Sequence, residues 1–300
     1  MNNSEISLLV KRMGKKSLDD NARSTIQGKF IRLEDGYTHY EIRGEGETIV
    51  LVHGYATPYF IYDKIYAFFT DKGYKVIRYD LYGRGYSDRV KTDYTPDFFA
   101  KQLKELTDAL CPDEKFYLVG TSMGGSICAT FVSKYSERVK KLILLAPAGM
   151  DTFKPPFYMK LCKIKGLGEI VFYSIAGKIL LRKCASELYY SSKDEKDYYY
   201  RSFASATEYK GFLRCTLSSL RKTILKTDQT VDSYRKVARI GTPTLCIWGT
   251  KDKTMPYYQS ERLKEICPKA RLITYDGSGH IFLFDEGDRT NSDIYEFINE

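Results

Sequence analysis

The pattern G-x-S-x-G at residues 120–124 is the part of this sequence whose residue types and spacing could most directly perform a reaction. An apolar run at 116–119 precedes it and a helix-like stretch follows, which is the context that a nucleophile elbow requires. In such a turn the serine hydroxyl projects above a sheet, and the two glycines let strand and helix approach closely. The N–H of Met123, at the helix N-terminus, would point to the place where an oxyanion forms. We therefore predict that Ser122 is the nucleophile of an acyl-transfer reaction.

A catalytic serine needs a base, and the sequence offers three histidines, His39, His53 and His280. His280 follows the last predicted strand in a glycine-rich loop, and sites of open α/β sheets are built at the carboxyl ends of strands. His39 falls within a predicted strand near the N-terminus, where we expect a half-buried structural role. His53 lies at the end of an early predicted strand, Thr48–Val52, and so belongs to a different element from the His280 loop. The sequence thus predicts His280 as the general base.

The third member of a triad should be a carboxylate on a loop between the nucleophile and the base. Asp252 follows the predicted strand Thr244–Trp248 after a short loop, and this order and spacing favour it. Asp151 is the alternative, because it also follows a predicted strand. Asp276 and Asp285 are expected to be solvated loop residues.

Short apolar runs alternate with helix-like stretches in the two outer parts of the chain, residues 29–150 and 237–300. The predicted strands are Tyr37–Ile42 (interpreted as an edge strand), Thr48–Val52, Lys75–Tyr79, Lys115–Val119, Leu142–Leu145, Thr244–Trp248 and Arg271–Tyr275. The predicted helices are Thr95–Leu110, Ser126–Tyr135, Tyr258–Ile266 and Asp293–Glu300. Strands separated by helices predict an α/β fold with a mostly parallel, doubly wound sheet.

Residues 151–236 carry no strand signal and interrupt this alternation. Apolar residues recur there at helical spacing over 157–183 and 193–225. We therefore predict a helical cap inserted into an α/β core that the two outer parts form, with residues 1–28 as an N-terminal extension. The cap is rich in aromatic residues, which favours a substrate with an apolar acyl chain or an aromatic acid.

Five segments, in this order, resemble habitual segments of the α/β-hydrolase fold family. They are Val52-His53-Gly54-Tyr55, Tyr79-Asp80-Leu81-Tyr82-Gly83-Arg84-Gly85-Tyr86-Ser87, the elbow at 116–125, Trp248-Gly249-Thr250-Lys251-Asp252 and Gly277-Ser278-Gly279-His280. With the serine, aspartate and histidine in this order, residues 29–300 resemble a capped serine hydrolase of the esterase or monoacylglycerol lipase kind. The resemblance implies that the N–H of Tyr55 supplies a second oxyanion donor beside Met123. It also implies that His53 shapes its loop and that Asp80 is structural.

These features predict a serine hydrolase that cleaves a carboxylic ester through an acyl-enzyme on Ser122, without a metal or an organic cofactor. The expected substrate is a small acyl, aromatic or monoacylglycerol-type ester. The candidate substrate-binding residues are His53, Gly54, Phe157 and Phe172. One alternative is hydrolysis of a carbon–carbon bond, since enzymes of that kind share the fold and the triad. Another is a non-catalytic ligand-binding protein on a hydrolase scaffold.

The composition indicates where such a protein would work. The apolar stretch Ile6–Val10 is too short for a signal peptide, and the seven scattered cysteines form no C-x-x-C pair, so a cytoplasmic protein is expected.

Nearly all of the formal net charge of +9 comes from 151–236, which contains 12 lysines and 5 arginines but only 9 acidic residues. No nucleic-acid motif accompanies this charge, so we expect no nucleic-acid partner. Peripheral contact of the basic cap with an anionic membrane is a hypothesis, and the oligomeric state is not predicted.

Overall fold

The computed structural model describes residues 11–184 and 186–300, with residues 176–178 and 181–184 described by their backbone alone. The apolar stretch Ile6–Val10 lies outside the described residues. One sheet of eight strands has the order β1-β2-β4-β3-β5-β6-β7-β8 in the described chain. The strands are β1 Lys29–Arg32, β2 Tyr37–Arg43, β3 Thr48–Val52, β4 Lys75–Tyr79, β5 Phe116–Thr121, β6 Val139–Leu145, β7 Thr244–Gly249 and β8 Arg271–Tyr275.

The sheet is mostly parallel, as predicted. Strands β4, β3, β5, β6, β7 and β8 run in the same direction, and β1 and β2 add antiparallel pairs at one edge. Strands β3, β5 and β7 are buried along their whole length. Central strands of a parallel sheet are covered on both faces, which is why they appear in the sequence as continuous apolar runs. The α/β fold class is thereby confirmed.

The prediction that Tyr37–Ile42 forms an edge strand is wrong. The strand at this place, β2, lies between β1 and β4, and β1 forms the edge of the sheet. Strand β1 has four residues, of which the two ends are exposed and the middle is half-buried. It therefore shows neither an apolar run nor an alternation long enough to predict it.

Helices cover this sheet and form most of the insertion between β6 and β7. In the described chain they are α1 Asp20–Thr25, α2 Asp63–Asp71, α3 Pro96–Leu110, α4 Met123–Tyr135, α5 Phe157–Leu161, α6 Leu167–Cys184, α7 Lys193–Thr207, α8 Phe212–Ser219, α9 Asp228–Ile240, α10 Tyr258–Ile266, α11 Phe282–Asp285 and α12 Gly287–Asn299. Helix α4 packs against α3 and α9, and α12 packs against α2. None of the helices described is long and apolar enough to cross a membrane.

Helix α3 begins where local sequence signals predict it. The hydroxyl of Thr95 accepts a hydrogen bond from the N–H of Phe98 at 3.1 Å, and Pro96 occupies the first helical position. A threonine cap satisfies an N–H that the helix itself leaves unpaired, and proline loses nothing at that position.

The segment between β6 and β7, residues 146–243, is called the insertion here and carries α5 to α9. Its last helix, α9, packs against the core helix α4. The hydroxyl of Tyr234 in α9 donates a hydrogen bond to the carbonyl of Ala148 at 2.9 Å. The predicted cap boundary at residue 236 falls inside this continuous helix.

The N-terminal extension is attached to the insertion. The N–H of Gly14 donates to the carbonyl of Thr207 at 3.0 Å, and that of Lys16 donates to the carbonyl of Glu208 at 2.9 Å. The Glu208 carboxylate, which is buried, also pairs with the side chains of Arg12 and Lys16. The N-terminal extension therefore links the core to the insertion at a place away from the two junctions with β6 and β7.

Candidate active site

Ser122 lies in a strained turn between β5 and α4. Its φ of 52° and ψ of −122° are unusual for a residue that has a side chain. The N–H of Ser122 donates to the carbonyl of Leu145 at 2.9 Å, and its carbonyl accepts from the N–H groups of Gly125 and Ala148 at 2.9 Å. Because two of these three partners come from β6 and the segment after it, the neighbouring strand fixes the position of the serine.

Two glycines make room for this turn. A Cβ at Gly124 would lie 2.0 Å from the carbonyl oxygen of Val52, and a Cβ at Gly120 would lie 2.6 Å from Sγ of Cys128. A side chain at either position would push α4 away from the sheet, and the turn that exposes the serine would be lost.

Asp252 and His280 form an acid–base pair beyond the ends of β7 and β8. Nδ1 of His280 lies 2.7 Å from Oδ2 of Asp252. Oδ1 of Asp252 accepts hydrogen bonds from the N–H groups of Thr254 at 2.9 Å and Met255 at 2.6 Å. An ionised carboxylate can only accept, so Nδ1 carries the shared proton and Nε2 is left as the acceptor that a general base needs.

The charge of Asp252 favours the protonated ring of His280. Burial would lower the pKa of His280, but the Asp252 carboxylate and its hydrogen bond raise that pKa above the ordinary value for histidine. Burial raises the pKa of Asp252, while the attraction of the His280 ring opposes this effect. A ring with a raised pKa takes up a proton readily, as a base must during attack by a hydroxyl.

Asp151 and His53 have other partners. Both oxygens of Asp151 bind Arg262, at 2.8 and 2.9 Å, so the alternative acid is engaged in an ion pair away from His280. His53 is fully buried, and its Nε2 accepts a hydrogen bond from the N–H of Leu81 at 2.9 Å. Burial lowers the pKa of His53 to about 4, so this ring stays neutral near pH 7. Through its hydrogen bond to Leu81, the neutral His53 ring holds the loop after β3 in place.

His39 is fully buried, so the prediction of a half-buried residue is wrong. Its Nδ1 lies 2.8 Å from Oδ2 of Asp80, and its Nε2 lies 2.8 Å from the carbonyl oxygen of Gln27. Asp80 is itself fully buried after β4 and accepts further bonds from the N–H groups of Tyr59 and Tyr86. A buried carboxylate needs such donors, and His39 on the neighbouring strand supplies one of them.

A cavity of about 260 Å³ lies beside Ser122 and His280, which both line it. The insertion contributes an apolar wall of Phe153, Pro156, Tyr158, Met159, Ile179, Leu180, Tyr199, Phe203, Leu220 and Ile224. Among the hydrogen bonds of the described residues, none joins the Ser122 hydroxyl to the His280 ring. In unliganded sites such a contact is often long and tightens when substrate binds.

Of the four predicted substrate-binding residues, Gly54 lies in the cavity wall, where a Cβ would be 3.1 Å from Cβ of Ser122. The structure does not place the other three in the lining. His53 and Phe172 are buried elsewhere, and Phe157 is 74% exposed. Direct contact of these three with a substrate is therefore not supported. Composition indicated an aromatic cap but could not show which of its faces turns toward the cavity.

Two backbone N–H groups beside Ser122 are candidates for binding an oxyanion. Met123 is the first residue of α4, and Tyr55 follows Gly54 in the cavity wall. Neither N–H has a partner among the hydrogen bonds of the described chain. Arg84, which is fully buried, donates from Nε to the carbonyl of Tyr55 at 2.8 Å and so holds this loop.

Glu187 is a candidate functional residue that sequence reasoning missed. Its side chain is buried, and Oε2 accepts hydrogen bonds from the N–H groups of His280 at 3.0 Å and Lys253 at 2.8 Å. These partners are 93 and 66 residues further along the chain. No local pattern marks a residue whose contacts are so distant in sequence.

Asp285 was predicted to be solvated, and this prediction is wrong because the residue is only 8% exposed. Its carboxylate accepts hydrogen bonds from the N–H groups of Tyr189, Tyr190 and Ser191, at 2.6 to 3.0 Å. Three consecutive N–H groups of an irregular segment need an acceptor when the segment is covered. Asp285 supplies it and thereby fixes the segment that contains Glu187.

Comparison with known protein families agrees with this architecture. A family model described as "Serine aminopeptidase, S33" matches residues 45–287. The chain belongs to this family of α/β-hydrolases. The matched region of the hydrolase runs from β3 to the start of α12 and includes Ser122, Asp252 and His280.

The hydrolase is similar to proteins with several activities. It is 28% identical over 282 residues to "2-hydroxy-6-oxononadienedioate/2-hydroxy-6-oxononatrienedioate hydrolase 1" of Pseudomonas putida, with 90% of this chain and 96% of that protein covered. A solved meta-cleavage product hydrolase from Pseudomonas fluorescens is 27% identical, with a TM-score of 0.74 over 91% of this chain and 97% of that one. An esterase from Exiguobacterium antarcticum shares the fold, with 22% identity and a TM-score of 0.76 over 91% and 100% of the two chains. The likenesses define a hydrolase family but not one substrate.

Proposed function

We propose that this protein is a serine carboxylic ester hydrolase in which Ser122 is the nucleophile, His280 the general base and Asp252 the residue that orients the base. The proposal depends on one observation: a serine in a strained turn and a histidine that is hydrogen-bonded to an aspartate line the same apolar cavity. These are the parts that acyl transfer requires. In this proposal helices α5 to α8 of the insertion act as the cap over the site.

The reaction would proceed in two halves. Oγ of Ser122 attacks the ester carbonyl while Nε2 of His280 takes its proton, and the N–H groups of Tyr55 and Met123 bind the oxyanion. His280 then gives the proton to the departing alcohol, which leaves an acyl-enzyme. Water, activated by the same ring, attacks the acyl group and releases the acid and the free serine.

The charged groups in the cavity favour some substrates over others. Besides His280, the charged side chains in the described lining are Lys154 and Lys253, and no carboxylate joins them. They follow β6 and β7, which are neighbouring strands. A substrate with a free ammonium group, as an aminopeptidase would use, would meet like charges here. An ester with a neutral or anionic distal end suits the cavity better.

Hydrolysis of a carbon–carbon bond is the second candidate. Two relatives with 27% and 28% identity are named as hydrolases of meta-cleavage products or of 2-hydroxy-6-oxo dienedioates. Such substrates carry carboxylate groups, and the two lysines of the cavity would suit them. The same triad could serve both reactions, so substrate turnover has to decide between them.

A substrate panel tests the proposal. We expect the purified protein to hydrolyse p-nitrophenyl esters and monoacylglycerols, and to be labelled by a fluorophosphonate probe on the peptide containing Ser122. An aminoacyl p-nitroanilide should be a poorer substrate than its N-acetyl form, because acetylation removes the ammonium group. A 2-hydroxy-6-oxo dienoate in the same panel measures the carbon–carbon reaction.

The outcomes of the substrate panel distinguish ester hydrolysis, carbon–carbon bond hydrolysis and ligand binding. Faster turnover of the dienoate than of every ester would replace the ester proposal by the second candidate. A preference for the free-amine compound would contradict the inference from the lysines. If the protein turned over nothing and took up no probe, the hydrolase reaction would be abandoned in favour of ligand binding.

The exposed surface of α5, α6 and the turn between them supports a further proposal, that the protein contacts anionic membranes. It combines exposed apolar and basic side chains, here called the apolar–basic patch: Phe157, Lys160, Ile164, Lys163, Lys165, Leu167, Ile170 and Tyr173. Tyr158 and Met159 of the same helix line the cavity, so the patch adjoins the site. Apolar groups that enter the interface and lysines that meet lipid head groups would hold this face on a bilayer.

Vesicle sedimentation tests this contact. We expect binding to vesicles with phosphatidylserine, little binding to neutral vesicles, and roughly 100-fold weaker binding after Lys160, Lys163 and Lys165 are changed to glutamine, at about 1 kcal/mol per lysine. A control with Lys29, Lys115 and Lys269, exposed lysines outside the patch, changed to glutamine should bind as wild type does. Equal losses in the two triple variants would contradict a specific role for the patch.

A further inference from the structure

The segment at 186–192, which joins α6 to α7, lies against the loop that carries the base. A Cβ at Gly279 would lie 2.8 Å from Cβ of Glu187 and 2.7 Å from its carbonyl oxygen, so the two backbones touch. On its other side the segment is held by Asp285, which accepts three of its N–H groups. The segment is therefore clamped between the His280 loop and α11.

Glu187 extends from this segment and joins the loops of the acid and the base. Its Oε2 accepts from the N–H of His280 at 3.0 Å and from that of Lys253, next to Asp252, at 2.8 Å. Its Oε1 accepts from the hydroxyl of Thr254 at 2.6 Å. The residue is 3% exposed, so water contributes little to its solvation and these three donors hold it.

Charged groups near the His280 ring come from three places. Asp252 follows β7 and Glu187 belongs to the insertion, and both act on the ring as negative charges. Glu286, just before α12, is hydrogen-bonded to the serine two residues before His280. Lys154 and Lys253 line the same cavity as His280, and both lysines are exposed to solvent. Two buried carboxylates, from the core and from the insertion, thus act together on one imidazole.

We propose that Glu187 is a positioning residue through which the insertion aligns His280 with Asp252 and stabilises the imidazolium that forms during catalysis. The inference rests on the proposed function, because it assigns a role toward the same base. When Ser122 gives its proton to His280, the ring becomes positive, and a second fixed carboxylate stabilises that charge. Since Glu187 belongs to the insertion, the base is fully aligned only while this segment is seated on the core.

The first test measures His280 without any substrate. The chain has three histidines, so the His280 ring can be followed by NMR titration in wild type, Glu187→Gln and Asp285→Asn. Glu187→Gln keeps the shape and removes the charge, so the pKa of His280 should fall. Asp285→Asn should change that pKa less than Glu187→Gln does, because the amide oxygen can still accept from the segment and Asp285 is not one of the charges that act on the ring. An identical pKa of His280 in wild type and Glu187→Gln would overturn the proposal.

The second test uses the pH dependence of kcat/KM for the best ester. Activity requires neutral His280, so a lower pKa moves the acid limb of the profile to lower pH in Glu187→Gln. At the plateau we expect kcat to fall on the order of tenfold, as it does when supports of a catalytic group are removed. Glu187→Asp keeps the charge, so the acid limb of its kcat/KM profile should stay at the wild-type pH, even if the shorter side chain lowers kcat.

These results separate the two proposals. If wild type hydrolyses no substrate, the proposed function fails, while the NMR titration still decides whether Glu187 acts on His280. If wild type is active and Glu187→Gln loses rate with an unmoved acid limb, Glu187 only packs the segment and the inference is wrong. Should Glu187→Gln fold poorly, as judged by circular dichroism, Glu187→Ala takes its place as the variant without the charge. An acid limb at lower pH in Glu187→Ala than in Glu187→Asp supports the role, and equal acid limbs in these two variants contradict it.

Discussion

Replacing Ser122 by alanine is expected to lower kcat for ester hydrolysis by about 10⁵- to 10⁶-fold, the loss seen when a triad nucleophile is removed. The change deletes one hydroxyl group and leaves the cavity wall, including Gly54, in place. Substrate binding should therefore be nearly unchanged, and the loss should appear in kcat rather than in KM. Steady-state kinetics with the best ester of the panel measure both constants, and fluorophosphonate labelling should disappear.

Ser126→Ala is the matched control for this variant. Ser126 lies one turn further along α4, is buried, and donates its hydroxyl to the carbonyl of Ala148 at 2.8 Å, but it does not line the cavity. Its loss should cost about 1 kcal/mol of stability through the lost hydrogen bond and leave kcat within a few-fold of wild type. Comparable activity of Ser122→Ala and Ser126→Ala would show that the nucleophile has been misassigned.

Asp252→Asn is expected to lower kcat by about 10⁴-fold at neutral pH. The amide can donate to Nδ1 of His280, which then has to accept, so the proton moves to Nε2 and the ring can no longer take one from Ser122. The loss of the carboxylate also lowers the pKa of His280, because the charge that favoured the protonated ring is gone. Kinetics at neutral pH and an NMR titration of the ring check the two effects separately.

Asp151→Asn is the control, because Asp151 was the alternative acid and follows β6, the strand adjacent to β7. Its ion pair with Arg262 is partly exposed, and such pairs contribute about 1 kcal/mol or less. We expect Asp151→Asn to keep kcat within a few-fold of wild type. A loss of 10⁴-fold in Asp151→Asn, with Asp252→Asn still active, would reverse the assignment of the acid.

Much of the fold could be predicted because its signals are local. Strands β3, β4 and β8 and helix α10 begin and end at the predicted residues, since apolar runs, a cap or a following proline define them within a few positions. Strand β1 was missed because four half-exposed residues give no period. Helix α9 was missed as a unit because its contacts with α4, rather than its composition, place it in the core.

The site, like the fold, was predicted where its signals are local and missed where it depends on contacts distant in sequence. Ser122, Asp252 and His280 each lie in a short motif after a strand, and a parallel sheet brings such strand ends together without further information. The cavity wall, Glu187 and the burial of Asp285 depend on how the insertion folds back onto the core. Those contacts join residues that are tens of positions apart, and periodicity in a single sequence carries no record of them.

The attachment of residues 14–16 to the insertion bears on how a substrate reaches the cavity. If the insertion were joined to the core only through β6 and β7, it could rotate as a rigid body about these two junctions. Here a wide swing would break the two backbone hydrogen bonds to 207–208 and separate the Glu208 carboxylate from Arg12 and Lys16. We therefore expect substrate to enter and product to leave through small displacements of α5 and α6, and not through rotation of the whole insertion. Residues 12–16, remote in sequence from Ser122, would in this way help to set the rate of product release.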